Sequence, residues 1–228
     1  MLPLVLLPGM NCTSGLWTGC GLDDALTPEL EEQSVDTQVD RLLAELPLRF
    51  VLGGLSLGAI IAMALVARAP ERVERMCLVS TNAKAPTPEQ QASWRAWVDR
   101  LDSGESARSL QTDILAALLS PAAAKDRADL VERTLAMADA TGTARLRAQL
   151  EMQSTRVDLR PALRDVTIPT LLVSGAQDAI CPPQFHAEIA AELTRARVVT
   201  IDGGHLLPLE QPNLFGSLVR ALRDARAP

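Results

Sequence analysis

The chain has 228 residues, 47% of them hydrophobic, which suffices for one large buried core without a second. A net charge of −6 and a pI near 5.0 leave no global basic field, which sets nucleic acid and membrane surfaces aside as partners. The four cysteines, Cys12, Cys20, Cys77 and Cys181, show neither CxxC spacing nor a histidine placed to complete a zinc site, so no metal is expected and reduced thiols of a cytoplasmic protein are the reading.

The apolar opening Met1 to Leu7 lacks a basic flank and runs into Pro8-Gly9, so it reads as a buried strand, Pro3 to Leu7, and not as a signal peptide. Leu30 to Val35 occupies the place of another strand but is acidic and weakly patterned. Thr37 to Leu46 has the apolar spacing of a helix. The run Arg49 to Gly53 predicts a strand, followed by Gly54-Leu55-Ser56-Leu57-Gly58 and a helix over Ala59 to Ala67. Arg68 and Glu71 end that apolar stretch well short of the roughly 20 residues of a membrane span. Val73 to Ser80 predicts a further strand.

Composition then changes. Pro88 to Leu163 is rich in alanine, leucine, arginine and glutamate at three-and-four spacing, with breaks at Gly104, Ser120-Pro121 and Gly142 that predict about four helices. Ten arginines and one lysine against twelve acids between Glu89 and Asp165 describe a mixed solvated surface and no basic docking plate. The strand pattern returns at Thr170 to Ser174 and Arg197 to Ile201, with helices over Pro183 to Leu193 and Leu214 to Arg226. Strands alternating with helices predict an α/β fold, a mostly parallel doubly wound sheet. Residues 1–86 and 166–228 form its expected core and residues 87–165 an inserted helical lid.

Three positions carry the chemistry. Ser56 sits between a strand and a helix, where a sharp turn lifts the hydroxyl within reach of a base; Gly54 and Gly58 leave room for strand and helix to approach. Asp178 follows the strand Thr170 to Ser174 in Ser174-Gly175-Ala176-Gln177-Asp178. His205 follows two glycines in Ile201-Asp202-Gly203-Gly204-His205, a loop free to aim its side chain at the sheet edge. The other histidine, His186, lies inside an amphipathic helix and reads as a surface or packing residue. Asp202 rivals Asp178 as the acid, but a residue three positions before the histidine usually serves turn hydrogen bonding. The loop Thr81-Asn82-Ala83-Lys84 offers no carboxylate.

Leu6-Leu7-Pro8-Gly9-Met10 with Trp17, the Gly54 to Gly58 turn, the Asp178 loop, and Gly204-His205 followed by Glu210-Gln211-Pro212 occur in one order. With them the chain resembles the α/β-hydrolase superfamily, and within it the small, lid-bearing esterases and enol-lactonases. The resemblance implies the α/β-hydrolase fold, a nucleophile elbow at Ser56, His205 as general base, Asp178 as its orienting acid, and backbone N–H groups of Met10 and Leu57 as an oxyanion hole. It implies no cofactor. Trp17, Ile180 and Leu206 adjoin these positions, and Trp94 and Trp97 share a face of the first lid helix, so these five are the expected pocket residues; for the tryptophan pair, packing is the commoner use. The expected function is a serine carboxylesterase acting on small or medium acyl esters. Lactones or enol-lactones, thioesters and carbon–carbon bonds remain open to the same residues, as does a non-catalytic ligand receptor.

Overall fold

In the computed structural model, which describes residues 2–225, the tetrapeptide Leu4-Val5-Leu6-Leu7 forms β1 (Leu4–Leu7), buried along its whole length. The chain continues through a 3-10 turn (Ser14–Trp17), α1 (Val35–Glu45), β2 (Phe50–Leu55), α2 (Leu57–Arg68) and β3 (Val73–Val79). A helical stretch follows: α3 (Pro88–Asp102), α4 (Ala107–Asp113), α5 (Leu115–Leu118), α6 (Pro121–Asp126), α7 (Ala128–Ser154) and α8 (Arg160–Leu163). Then come β4 (Thr170–Gly175), α9 (Pro183–Glu192), β5 (Ala196–Ile201), α10 (Leu207–Glu210) and α11 (Pro212–Asp224). The expected end of the last helix, Arg226, lies outside the described residues.

The described strands form a five-stranded sheet in the order β1-β2-β3-β4-β5, every pairing parallel. Helices cover both faces, so the inner strands are apolar on both sides. Val5, Leu7, Phe50 and Leu52 pack into one core cluster with α1 and α2, while the alternate residues Leu4, Leu6, Val51 and Leu55 pack into another with Phe215 and Val219 of α11. Burying a leucine or valine side chain contributes about 1.5–3 kcal/mol. Such residues therefore set the register of the sheet. Because all strands run the same way, the loops after them gather at a single edge.

Leu30 to Val35 is not a strand. Leu26 instead makes a lone parallel bridge beside β1, with Leu26 N–H donating to Leu4 O at 2.8 Å and Leu6 N–H to Leu26 O at 2.9 Å. The backbone N–H groups of Glu31 and Glu32 are taken by Gln38 Oε1, at 3.0 and 3.2 Å, which satisfies them without a ladder. Ser34 then caps α1, accepting from Thr37 N–H at 3.1 Å, so that helix starts two residues before the sequence pattern does.

The stretch between β3 and β4 divides at the three breaks read from the sequence and also at Ile114, at Arg127 and over residues 155–159. Gly104 separates α3 from α4, and Ser120 caps α6 by accepting from Ala123 N–H. Gly142 kinks α7 with φ 74° and ψ 167°, a region that is essentially glycine-only. Ile114 parts α4 from the single turn α5, a break without glycine or proline to announce it. The segment is no detached flap: Leu118, Leu119, Ala123, Leu130 and Met137 belong to the same cluster as β1, and Met152, Leu159 and Leu163 to that of α2.

Candidate active site

Ser56 is the single residue between β2 and α2, and its φ of 53° turns the chain sharply enough to put the side chain outside both elements. A non-glycine residue held there costs about 1–3 kcal/mol, so neighbouring structure must enforce it. Ser56 N–H donates to Val79 O at 2.9 Å, extending the ladder to β3 past the turn. The glycines supply the space. A Cβ on Gly54 would lie 2.5 Å from the carbonyl carbon and oxygen of Gly58, and one on Gly58 would lie 2.2 Å from Leu7 O. No side chain at either position fits between these backbones.

Asp178 and His205 follow neighbouring strands, β4 and β5, and both are buried. His205 Nδ1 lies 3.0 and 2.9 Å from Asp178 Oδ1 and Oδ2. Asp178 Oδ1 also accepts the N–H groups of Ile180 at 2.9 Å and Cys181 at 2.8 Å. Burial opposes ionisation of this carboxyl, but the hydrogen bond and charge of His205 and those two N–H donors outweigh it. Asp178 is held below the usual carboxylate range. Bonding Nδ1 to a carboxylate leaves Nε2 as the free acceptor of a neutral ring. Asp202 is exposed, and its carbonyl accepts from Gln211 Nε2 at 3.0 Å, so it serves the turn.

The histidine loop is tied to the helical segment. Glu210 Oε1 accepts Gly204 N–H at 2.9 Å and Ser120 N–H at 3.0 Å, and Leu206 N–H donates to Leu118 O at 2.9 Å. The loop after β1 is held from the same side. Asn11, with φ 57°, donates its N–H to Gln149 Oε1 at 2.8 Å and its Nδ2 to Ala107 O at 3.1 Å and Gln111 Oε1 at 2.8 Å. Met10 and Leu57 N–H have no acceptor among the described residues, which leaves two backbone donors unspent beside Ser56.

Ser56 and His205 both line a cavity of about 180 Å³, with Gly9, Met10, Trp94 and Arg156 among its other walls. No hydrogen bond joins the two residues among those described; such contacts often tighten only when substrate binds. Ile180 and Leu206 also line this space. Trp17 and Trp97 do not. Trp17 stacks on Phe215 with ring centroids 5.7 Å apart, because the 3-10 turn after Met10 rotates it back into the core. Trp97 packs with Leu101, Leu110 and Leu146 within the helical segment. Cys12 and Cys181 line the cavity too, and burial pushes each thiol up to about 12, so both are inert walls. Among the described residues, no group of His, Cys, Asp and Glu gathers as a metal site, and no helix is long and apolar enough to cross a membrane.

Sequence reasoning gave no part in the site to four residues behind or within these walls, His186, Thr81, Asn82 and Arg156, of which His186 read as a surface or packing residue. His186 is fully buried, not at the surface; its Nε2 accepts Thr81 N–H at 3.3 Å, and Thr81 Oγ1 donates to Ser56 O at 3.1 Å. Burial drives the His186 ring down to about 4, the field of His205 adding to this and that of Asp178 opposing it. Asn82 and Arg156 stand in the cavity wall, joined at 3.0 Å. Only the fold brings these positions together, and no spacing along the chain announces them.

Comparison with known proteins places this arrangement. A pimeloyl-[acyl-carrier protein] methyl ester esterase of Aromatoleum aromaticum is 31% identical over 216 residues, covering 90% of this chain and 84% of that protein. A 3-oxoadipate enol-lactonase of Acinetobacter baylyi is 25% identical over 169 residues, 74% of this chain and 61% of that protein. The structure of a thermophilic esterase from Thermogutta terrifontis shares the fold, with a TM-score of 0.89 at 23% identity over 96% of this chain and 88% of that one. The model of the alpha/beta hydrolase family matches residues 5–216. With the parallel sheet, the strand-turn-helix at Ser56 and a match spanning nearly its whole length, the chain belongs to the alpha/beta hydrolase family.

Proposed function

We propose that the protein is a serine hydrolase of carboxylic esters, of the carboxylesterase kind, acting on small to medium acyl groups. The observation that carries this reading is the buried Asp178–His205 pair opening onto the same cavity as Ser56. Ser56 Oγ attacks the carbonyl carbon while His205 Nε2 takes its proton; Asp178 holds the ring in the required tautomer and stabilises it when charged. Charge developing on the carbonyl oxygen is met by the N–H groups of Met10 and Leu57, fixed before reaction by the loop after β1 and the start of α2. His205 returns the proton to the departing alkoxide, leaving an acyl-serine. Water activated by the same ring then hydrolyses that ester and regenerates Ser56. Ser56 is the nucleophile of the first half of the reaction and water that of the second, with His205 carrying the proton in both.

Ester cleavage is the named activity of the Aromatoleum relative and lactone cleavage that of the Acinetobacter one. Both break an acyl–oxygen bond, so the same sequence of steps serves either substrate. The reading is tested with nitrophenyl esters of increasing acyl length beside simple lactones and acyl thioesters, and with a fluorophosphonate label. Turnover of short esters and a single adduct on Ser56 are expected. Absence of both overturns it.

A further inference from the structure

The cavity holds one permanent charge with nothing to balance it. Arg156 is 7% exposed and lines the cavity. Its Nη1 donates to Gln153 Oε1 at 2.9 Å, and its Nη2 donates to Asn82 Oδ1 at 3.0 Å and Lys84 O at 2.9 Å. The guanidinium carbon stands 5.9 Å from the centre of the Trp94 ring. Every one of these partners is neutral. Nε–H is buried with no acceptor, so the fork is incompletely satisfied as well as uncompensated.

Its neighbours behave otherwise. Arg147 pairs with Asp102, Arg160 with Asp158 and Arg164 with Glu192, all on more exposed surface where such pairs matter little. Arg156 has no ion pair among the described residues, and no aspartate or glutamate lines the cavity. A buried charge is ordinarily paired, because removal from water is expensive. Burial does pull this guanidinium down, to about 10, yet it stays protonated at neutral pH. The neutral acceptors and the tryptophan face hold the cation in the wall it shares with Ser56 without neutralising it. The space enclosed by that wall is where a counter-charge can approach it.

We propose that Arg156 is a specificity-determining residue that selects substrates bearing a free carboxylate away from the reacting carbonyl. The substrate class is then an ester or lactone that is also an acid. A carboxylate fits better than a phosphoryl group, since one planar guanidinium with no lysine or second arginine in the wall matches a single negative charge. This rests on the ester-hydrolase reading above and deepens it.

The test compares kcat/KM within two matched pairs. Monomethyl glutarate is set against methyl glutaramate, which carries a carboxamide in place of the acid, and the butyryl ester of glycolic acid against that of glycolamide. One pair places the charge on the acyl side and the other on the alcohol side. The wild-type protein is expected to favour the acid in one pair by about 10- to 100-fold, the range of a charge-assisted hydrogen bond. Arg156→Met brings that ratio toward one, and Arg156→Lys, which keeps the charge, retains part of it. A second measurement survives any folding defect in these variants: glutarate raises the Tm of the Ser56→Ala protein more than glutaramide does. Ratios near one in both pairs, a ratio unchanged in Arg156→Met, or equal shifts by glutarate and glutaramide each overturn the proposal. If nitrophenyl esters are cleaved while both ratios stay at one, only this inference falls. If no ester is cleaved, the hydrolase reading falls, and the glutarate shift alone decides the anion site.

Discussion

Two carboxylates compete for the histidine, one close to it in sequence and one on the loop of the preceding strand, and geometry separates them. Asp178 touches His205, whereas Asp202 is exposed. Asp178→Asn is therefore expected to lower kcat on the order of 10⁴-fold by favouring the wrong tautomer, and Asp202→Asn to change it little. Steady-state rates on a short nitrophenyl ester decide, and the reverse pattern would reassign the acid. His186 acts on stability instead. Its folded value of about 4 lies below the ordinary 6.5, so between those values the unfolded chain binds a proton that the fold refuses. Its contribution is complete above 6.5 and is lost as pH falls toward 4, amounting to roughly 3 kcal/mol across that window. Thermal melts over pH 7 to 4 are expected to show a steeper decline in wild type than in His186→Gln; parallel declines would remove His186 from the account. Protonation also ends acceptance of Thr81 N–H, so the turn at Ser56 loosens in the same window.

The elements were legible where the chain is apolar and regular. β1, β2 and β4 are buried throughout and apolar for most of their length, since strands covered on both faces need no alternation, and the ends of all five strands moved by only a residue or two. Leu30 to Val35 misled because an extended, partly apolar stretch has the same local look whether a strand or the Gln38 side chain satisfies its backbone. Trp17 misled because adjacency to Met10 in sequence says nothing of direction once a 3-10 turn intervenes. Arg156 was illegible: its meaning arises from Asn82, Trp94 and Ser56, which share its cavity from separate parts of the chain. Two substitutions test the elements themselves. Gly54→Ala drives a methyl into the backbone of α2 and is expected to cost at least about 3 kcal/mol in chemical denaturation, with loss of folded protein as an equally supporting result. Glu210→Ala frees the N–H groups of Gly204 and Ser120 and loosens the histidine loop. A fall in kcat of about tenfold is expected, with a loss of about 1–3 kcal/mol for the unpaired donors. An unchanged kcat would mean that the loop is held without that carboxylate.

At the scale of the whole molecule, the helical segment between β3 and β4 closes the site and completes the core together. Its leucines share clusters with the sheet, and its polar residues fasten the loops bearing Met10 and His205. Replacing residues 87–165 with a short linker is therefore expected to yield aggregating protein and not an open enzyme, as size-exclusion chromatography would show; a soluble monomer of wild-type activity would refute this. The parallel sheet has a consequence for laboratory evolution. The serine, the acid and the histidine follow the ends of β2, β4 and β5, whereas Trp94, Gln153 and Arg156, which form part of the remaining cavity wall, belong to the intervening helices or their immediate ends. Diversifying those three positions leaves the strand ends untouched, so new substrate ranges become reachable through mutations that do not first dismantle the machinery they redirect.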